Sequence, residues 1–102
     1  MKRVTCEVRP DANDWPEGLH KDAAGAFVEC WINYRDEDGA TALARHYLGR
    51  GWVIVSRLEA SSVRKSDLRK KRDVRSWREA KKHGYSITFN LWKQRVEKQF
   101  AA

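Results

Sequence analysis

Residues 26–60 read AFVECWINYRDEDGATALARHYLGRGWVIVSRLEA, and the division of this stretch into elements decides the fold. From Ala26 to Arg35 it is dense in β-formers, with Val28, Cys30, Ile32 and Tyr34 at one parity and Phe27, Glu29, Trp31 and Asn33 at the other, which predicts a strand. Asp36, Glu37 and Asp38 then put negative charge where a helix macrodipole favours it, and either aspartate suits an N-cap. Ala40, Leu43, Ala44, Tyr47 and Leu48 follow at i, i+3, i+4, i+7 and i+8, a one-sided apolar stripe that Gly49 and Gly51 end. Trp52 to Ala60 predicts another strand, apolar at both parities, as a central strand is. Such a strand–helix–strand unit is expected to pair its strands in parallel through a right-handed crossover.

Upstream, Val4, Cys6 and Val8 alternate with Arg3, Thr5, Glu7 and Arg9, predicting a short half-buried strand that ends at Pro10. Asp11 to Gly25 is rich in turn-forming residues and reads as a long loop pinned by Trp15. Downstream, Ser61 to Lys65 is a polar connection, and Ser66 or Asp67 is placed to cap a second helix running to about His83. Its apolar stripe of Leu68, Val74, Trp77 and Ala80 is interrupted, so Asp73 is an alternative start after a basic turn. Gly84 suits the C′ position. Tyr85, Ile87, Phe89 and Leu91 alternate with Ser86, Thr88, Asn90 and Trp92 in a further strand, and Val96 and Phe100 are spaced for a short docked helix or a tail.

The order β-β-α-β-α-β predicts a single α+β domain over residues 1–102: a two-layer sandwich with a four-stranded mixed sheet and both helices on one face, a relative of ferredoxin-like folds. Five tryptophans, three tyrosines and three phenylalanines are large enough contributors to give a 102-residue chain its own core. No apolar h-region follows the basic N-terminus and no stretch approaches the length of a membrane span, so a soluble cytoplasmic protein is expected. Cys6 and Cys30 lack the close spacing of a zinc knuckle or redox pair and are expected to be buried free thiols.

Ala26 to Ile32, the acidic helix start, Gly51-Trp-Val-Ile-Val55 and Gly84-Tyr-Ser-Ile87 before Trp92 together resemble small uncharacterised bacterial and mobile-element α+β proteins. The resemblance implies a core pattern and carries no functional residue with it.

Net charge is +7 and unevenly spread: residues 1–56 hold seven Lys/Arg against nine Asp/Glu, residues 57–102 fourteen against five. A basic pole of this kind attracts polyanions. Its densest part is the run from Arg64 to Arg72, Lys71 included, extended by Arg75, Arg78, Lys81 and Lys82; it could supply several phosphate contacts at helical spacing, with Arg64, Lys65, Arg69, Lys70, Arg72, Arg75, Arg78 and Lys82 the candidate residues. The plainer reading is a solvated helix face whose bases pair with Asp67, Asp73 and Glu79.

If both helices cover the Val28 face, Phe27, Trp31, Val53, Val55 and Trp92 lie on the open side of the sheet. That face would serve a homodimer, stack nucleic-acid bases, or be covered by the Asp11–Gly25 loop or the C-terminal tail. His20, His46 and His83 form no ligand-spaced cluster with the cysteines, so no metal or cofactor is predicted.

The leading expectation is a non-enzymatic binding protein that engages an anionic partner, nucleic acid ahead of an acidic protein, through residues 64–82. The alternative is a homodimeric protein-interaction module, such as an inhibitor or immunity-type factor, using the aromatic sheet face. A small hydrolase or nuclease built on His46 or His83 ranks third, since it needs a cleft in which a histidine meets a carboxylate or lysine.

Overall fold

A computed structural model of the chain describes residues 1–93. Its elements run β1 (Lys2–Pro10), β2 (Ala23–Ile32), α1 (Glu37–Leu48), β3 (Trp52–Ile54), β4 (Glu59–Ser62), a 3-10 turn (Lys65–Asp67), α2 (Lys71–His83) and β5 (Tyr85–Lys93). β1 pairs with β2 along one edge, from Lys2 opposite Ile32 to Val8 opposite Ala26. Along its other edge it pairs with β3 at Val8–Pro10 and with β4 at Lys2–Thr5. β5 lies outside β2, with Tyr85 opposite Ile32 and Lys93 opposite Ala23. The described sheet therefore has five strands rather than four, and its neighbours are antiparallel throughout rather than mixed.

The strand expected over Trp52–Ala60 is neither single nor central. Val8 faces Ile54 and Thr5 faces Glu59, so four residues of the outer chain span two of β1. Glu7 bridges the gap, its carbonyl accepting from the Val55 amide (2.9 Å) and its own amide donating to Ser56 Oγ (2.7 Å). Two extra residues preserve the alternation, so Ile54 and Ala60 stay on one face and Val53 and Val55 on the other. The expected pairing between strand 26–35 and strand 52–60 fails because β1 occupies the place between them. β2 and β3 run parallel, but each is antiparallel to β1.

On one face of the sheet Val4, Cys6, Val8, Ala26, Val28, Cys30 and Ile32 are buried with Ala40, Ala44 and Leu48 of α1. The helix stripe is the one read from sequence, and its small alanines allow close approach to the strands. Asp36 is the N-cap, its Oδ1 accepting from the Gly39 amide at 2.6 Å, and Gly49 closes the other end at φ 47°. β2 begins earlier than expected and ends at Ile32, so Tyr34 lies beyond the strand and is exposed instead of sharing this face.

Trp31 points to the opposite face from Cys30 and Ile32, yet it is completely buried. Its cover is α2, which packs on β5 and β2 and has Ala80 fully buried. The chain reaches that face by rounding the end of β1, where the Val63 amide donates to the Met1 carbonyl (2.9 Å). The two helices therefore flank the sheet from opposite sides, which overturns the expected two-layer, ferredoxin-like arrangement. α2 begins at Lys71, after a separate 3-10 turn, with Asp73 in its first turn and Gly84 closing it at φ 94°. Val96 and Phe100 lie outside the described residues.

Burial raises the Cys6 thiol above its ordinary value and pushes Cys30 up to about 12, with neighbouring Cys6 adding to the latter. Cys30 thus keeps its proton in the folded state at a pH where an unfolded chain has lost it. Stability present below pH 9 is expected to fall as pH rises towards 12, and Cys30→Ala is expected to flatten that fall when urea midpoints are compared across the range. Asp36→Ala is expected to cost about 1 kcal/mol in the same urea titration, through loss of the α1 cap.

Candidate anion-binding surface

Strand register places the side chains of the α2 face in four rows across the sheet. From the end farthest from α2 they are Val53, Arg9, Gly25 and Trp92; then Val55, Glu7, Phe27 and Asn90; then Glu59, Thr5, Glu29 and Thr88; and last Ser61, Arg3, Trp31 and Ser86. α2 covers the last row and leaves the first two open. Phe27, Val53, Val55 and Trp92 are each about two-fifths exposed, as expected for an open face, whereas Trp31 is not part of it. The sequence offered no distinction between Phe27 and Trp31, which share parity and aromatic character. Only the position of α2 separates them.

Trp92 lies flat on Gly25, where an added Cβ would sit 2.5 Å from the indole Cζ2. A glycine opposite an aromatic ring in a sheet lets the ring cover bare backbone, and Gly25 is buried accordingly.

The basic helix and the open apolar rows thus share one side of the molecule. α2 is held by a few residues, Val74, Trp77 and Ala80, and turns the rest of its surface to solvent. Trp77 lies between two cations, Lys65 Nζ at 5.6 Å and Lys81 Nζ at 5.9 Å from its ring. The carboxylates of this segment meet bases within it, as the plainer reading expected: Asp67 lies 3.4 Å from Arg64, Asp73 3.7 Å from Arg72 and Glu79 3.6 Å from His83. Arg69 donates from Nη1 to the Ser66 carbonyl (3.0 Å). Among the described residues, Arg75, Arg78 and Lys82 have no carboxylate within 4 Å, and neither does Lys71, which precedes them at the same helical spacing. Lys71 belongs to the basic run read from the sequence, and its i, i+4 spacing to Arg75 places it on the stripe.

Two shallow depressions adjoin these cations. One of about 400 Å³ is lined by Arg69, Lys71, Arg75 and Arg78 with Val74 and Glu79. The other, about 440 Å³, joins the start of α2 to the sheet and includes Arg3, Ser61, Ser62, Arg69, Lys70 and Asp73. At its floor the Arg3 guanidinium stands 5.5 Å from the centre of the Trp31 ring. Arg3 Nε, Trp31 Nε1 and Trp77 Nε1 are buried donors without a partner among the described residues. Lys70, the residue preceding α2, makes no side-chain cap, so the first amides of the helix carry their partial positive charge uncapped beside Arg69 and Lys70. Arg3 was not singled out from the sequence, because its role depends on a helix nearly 70 residues away. No sequence signal would have found it.

The histidines lie outside both depressions. His20 is 3.7 Å from Asp22 and exposed, His83 meets Glu79 on an exposed helix face, and His46 sits edge-on to Tyr47. No His/Cys/Asp/Glu group suited to a metal ion occurs among the described residues, and no described helix is long and apolar enough to cross a membrane. No protein-family model matches the chain, nor does any curated protein or solved structure.

Gly25→Ala is expected to displace the Trp92 indole and cost about 1–3 kcal/mol in chemical denaturation. Adding Trp92→Ala should recover part of that loss, which a double-mutant cycle measures.

Proposed function

We propose that the protein is a non-enzymatic binding protein that engages a nucleic-acid backbone through α2 and the turn before it. The observation that carries this reading is the pairing pattern of the carboxylates. Asp67 pairs with Arg64, Asp73 with Arg72, and Glu79 lies against His83, so that among the described residues Lys71, Arg75, Arg78 and Lys82 form a stripe with no carboxylate within 4 Å. Ten Lys/Arg between residues 64 and 83 accompany three carboxylates, so local ion pairs of the kind a solvated helix face makes leave most of the cations uncompensated. The stripe spans twelve residues, eleven steps or about 16 Å of helix axis, which is the length of several successive phosphates. Arg75 and Arg78 bring planar, bidentate donors suited to phosphate oxygens.

The open sheet rows favour a second reading, a protein-interaction module. Phe27, Val53, Val55 and Trp92 form an apolar group on the same side as α2, and Glu7 and Glu59 line a depression of about 230 Å³ beside Phe27. Those carboxylates disfavour a phosphate backbone running across the sheet itself, so this patch suits a protein better than stacked bases. An acidic protein that touched both the stripe and the apolar rows would unite the two readings.

Anisotropy titrations of labelled single-stranded DNA, duplex DNA and RNA test the proposal. Four phosphate contacts predict a loss of about a hundredfold in affinity between 50 and 200 mM salt. The triple substitution Arg75→Glu, Arg78→Glu and Lys82→Glu should abolish binding, while Arg64→Glu, at a cation already paired, should weaken it far less. Absent binding to all three probes at 50 mM salt, or binding untouched by the triple substitution, would remove the nucleic-acid reading.

A further inference from the structure

The two edges of the sheet are built differently. The β3/β4 edge is broken by the bulge at residues 55–58, its strands have three and four residues, and Arg57 and Glu59 lie on it. These are the devices that stop a sheet from adding strands. Among the described residues the β5 edge lacks them from Tyr85 to Trp92; a charge enters only at Lys93, and the ladder to β2 shifts register only at that end, between Ala23 and Gly25. β5 runs unbroken for nine residues, and Tyr85-Ser-Ile-Thr-Phe-Asn-Leu-Trp92 contains neither a charge nor a proline.

The hydrogen-bonding parity of β5 follows from its first contact. The Asn33 amide donates to the Gly84 carbonyl (2.9 Å), which makes these opposed residues a hydrogen-bonded pair. In an antiparallel ladder such pairs recur at every second residue. Ser86, Thr88 and Asn90 therefore direct their backbone groups to β2, and Ile87, Phe89 and Leu91 direct theirs outward. Beside that outward row Tyr85 (40%), Phe89 (37%) and Leu91 (54%) are exposed on the α1 face of the sheet. Together these make an apolar stripe along a hydrogen-bonding edge that no other described residue pairs with.

We infer that β5 pairs edge to edge with β5 of a second copy of this chain, joining two sheets into one across a two-fold axis at Thr88. An antiparallel strand is its own complement under a two-fold, so an isologous contact needs no second surface. Centring on Thr88 sets Tyr85 opposite the partner's Leu91 and Ile87 opposite the partner's Phe89, all through outward-facing backbone pairs. On the other face it sets Thr88 against the partner's Thr88 and Ser86 against the partner's Asn90. Apolar side chains meet apolar ones and polar meet polar. Two chains of net charge +7 repel, and an eight-residue uncharged edge is the place where they approach at least electrostatic cost. Centring on Phe89 instead would draw Lys93 into the ladder opposite Tyr85.

The contact does not depend on anion binding, and its tests read assembly alone. Sedimentation velocity on the full chain is expected to show a dimer of 11.9 kDa protomers that dissociates on dilution. Leu91→Pro removes an outward amide that the fold does not use, so it is expected to raise the dimer Kd at least tenfold with the circular dichroism spectrum unchanged. Thr88→Cys lies at the close, non-hydrogen-bonded pair and is expected to give a disulfide-linked dimer on mild oxidation, which Cys6 and Cys30, being buried, do not. Val53→Asp, on the open sheet rows, should leave the dimer intact. A wild-type chain that stays monomeric at about 100 µM overturns the inference. So does a dimer that survives Leu91→Pro, fails to cross-link through Thr88→Cys, or is lost with Val53→Asp, since each places the contact elsewhere or in the chain's own tail.

Discussion

The antiparallel ladder between β1 and β2, from Lys2 opposite Ile32 to Val8 opposite Ala26, sets the position of everything else. Because side chains alternate along a strand, one register puts Val4, Cys6 and Val8 beside Ala26, Val28 and Cys30 on one face and Arg3 beside Trp31 on the other. A slip by one residue would expose the first set and bury charged groups. α1 needs the first face for its alanines, and α2 needs Trp31. β3, β4 and β5 then have only the two outer edges of this pair to occupy. The hairpin that encloses a long N-terminal loop is the frame, and the helices are its two covers.

The covers are unequal. α1 is capped at both ends and matches the core with an uninterrupted stripe. α2 has ten Lys/Arg against three Asp/Glu in and just before it, between residues 64 and 83, and few apolar residues to hold it. What holds it is aromatic: Trp31 beneath it and Trp77 on it, with Arg3, Lys65 and Lys81 arranged around the two rings. Cations that pack against ring faces stay charged while their aliphatic stems cover apolar surface. A helix can therefore be both a lid on the sheet and a cationic surface.

Half of the sheet remains uncovered because α2 stops over the Trp31 row. The open rows carry apolar residues at their outer end and carboxylates towards the middle, so the α2 side of the molecule presents a basic helix, an acidic middle row containing Glu29 and Glu59, and an apolar patch in succession.

β1, α1 with both its caps, Gly84 and the alternation of β5 were legible in the amino-acid sequence, because each rests on interactions within about ten residues: a capping carboxylate, a stripe of alanines, a glycine at positive φ. The basic segment was legible as composition. The side of the sheet that α2 would cover was not, because it depends on the path of residues 63–70 around the end of β1. For the same reason Phe27 and Trp31 looked alike, although one is exposed and the other buried. The division of 52–60 into two edge strands depended on the Glu7 amide meeting Ser56, a contact across nearly fifty residues. Local chemistry determined which elements form and where the charge lies along the chain. Tertiary packing alone decided that the basic helix and the apolar sheet rows face the same way, since that follows from a connection passing one end of the sheet rather than from any property of the residues it joins.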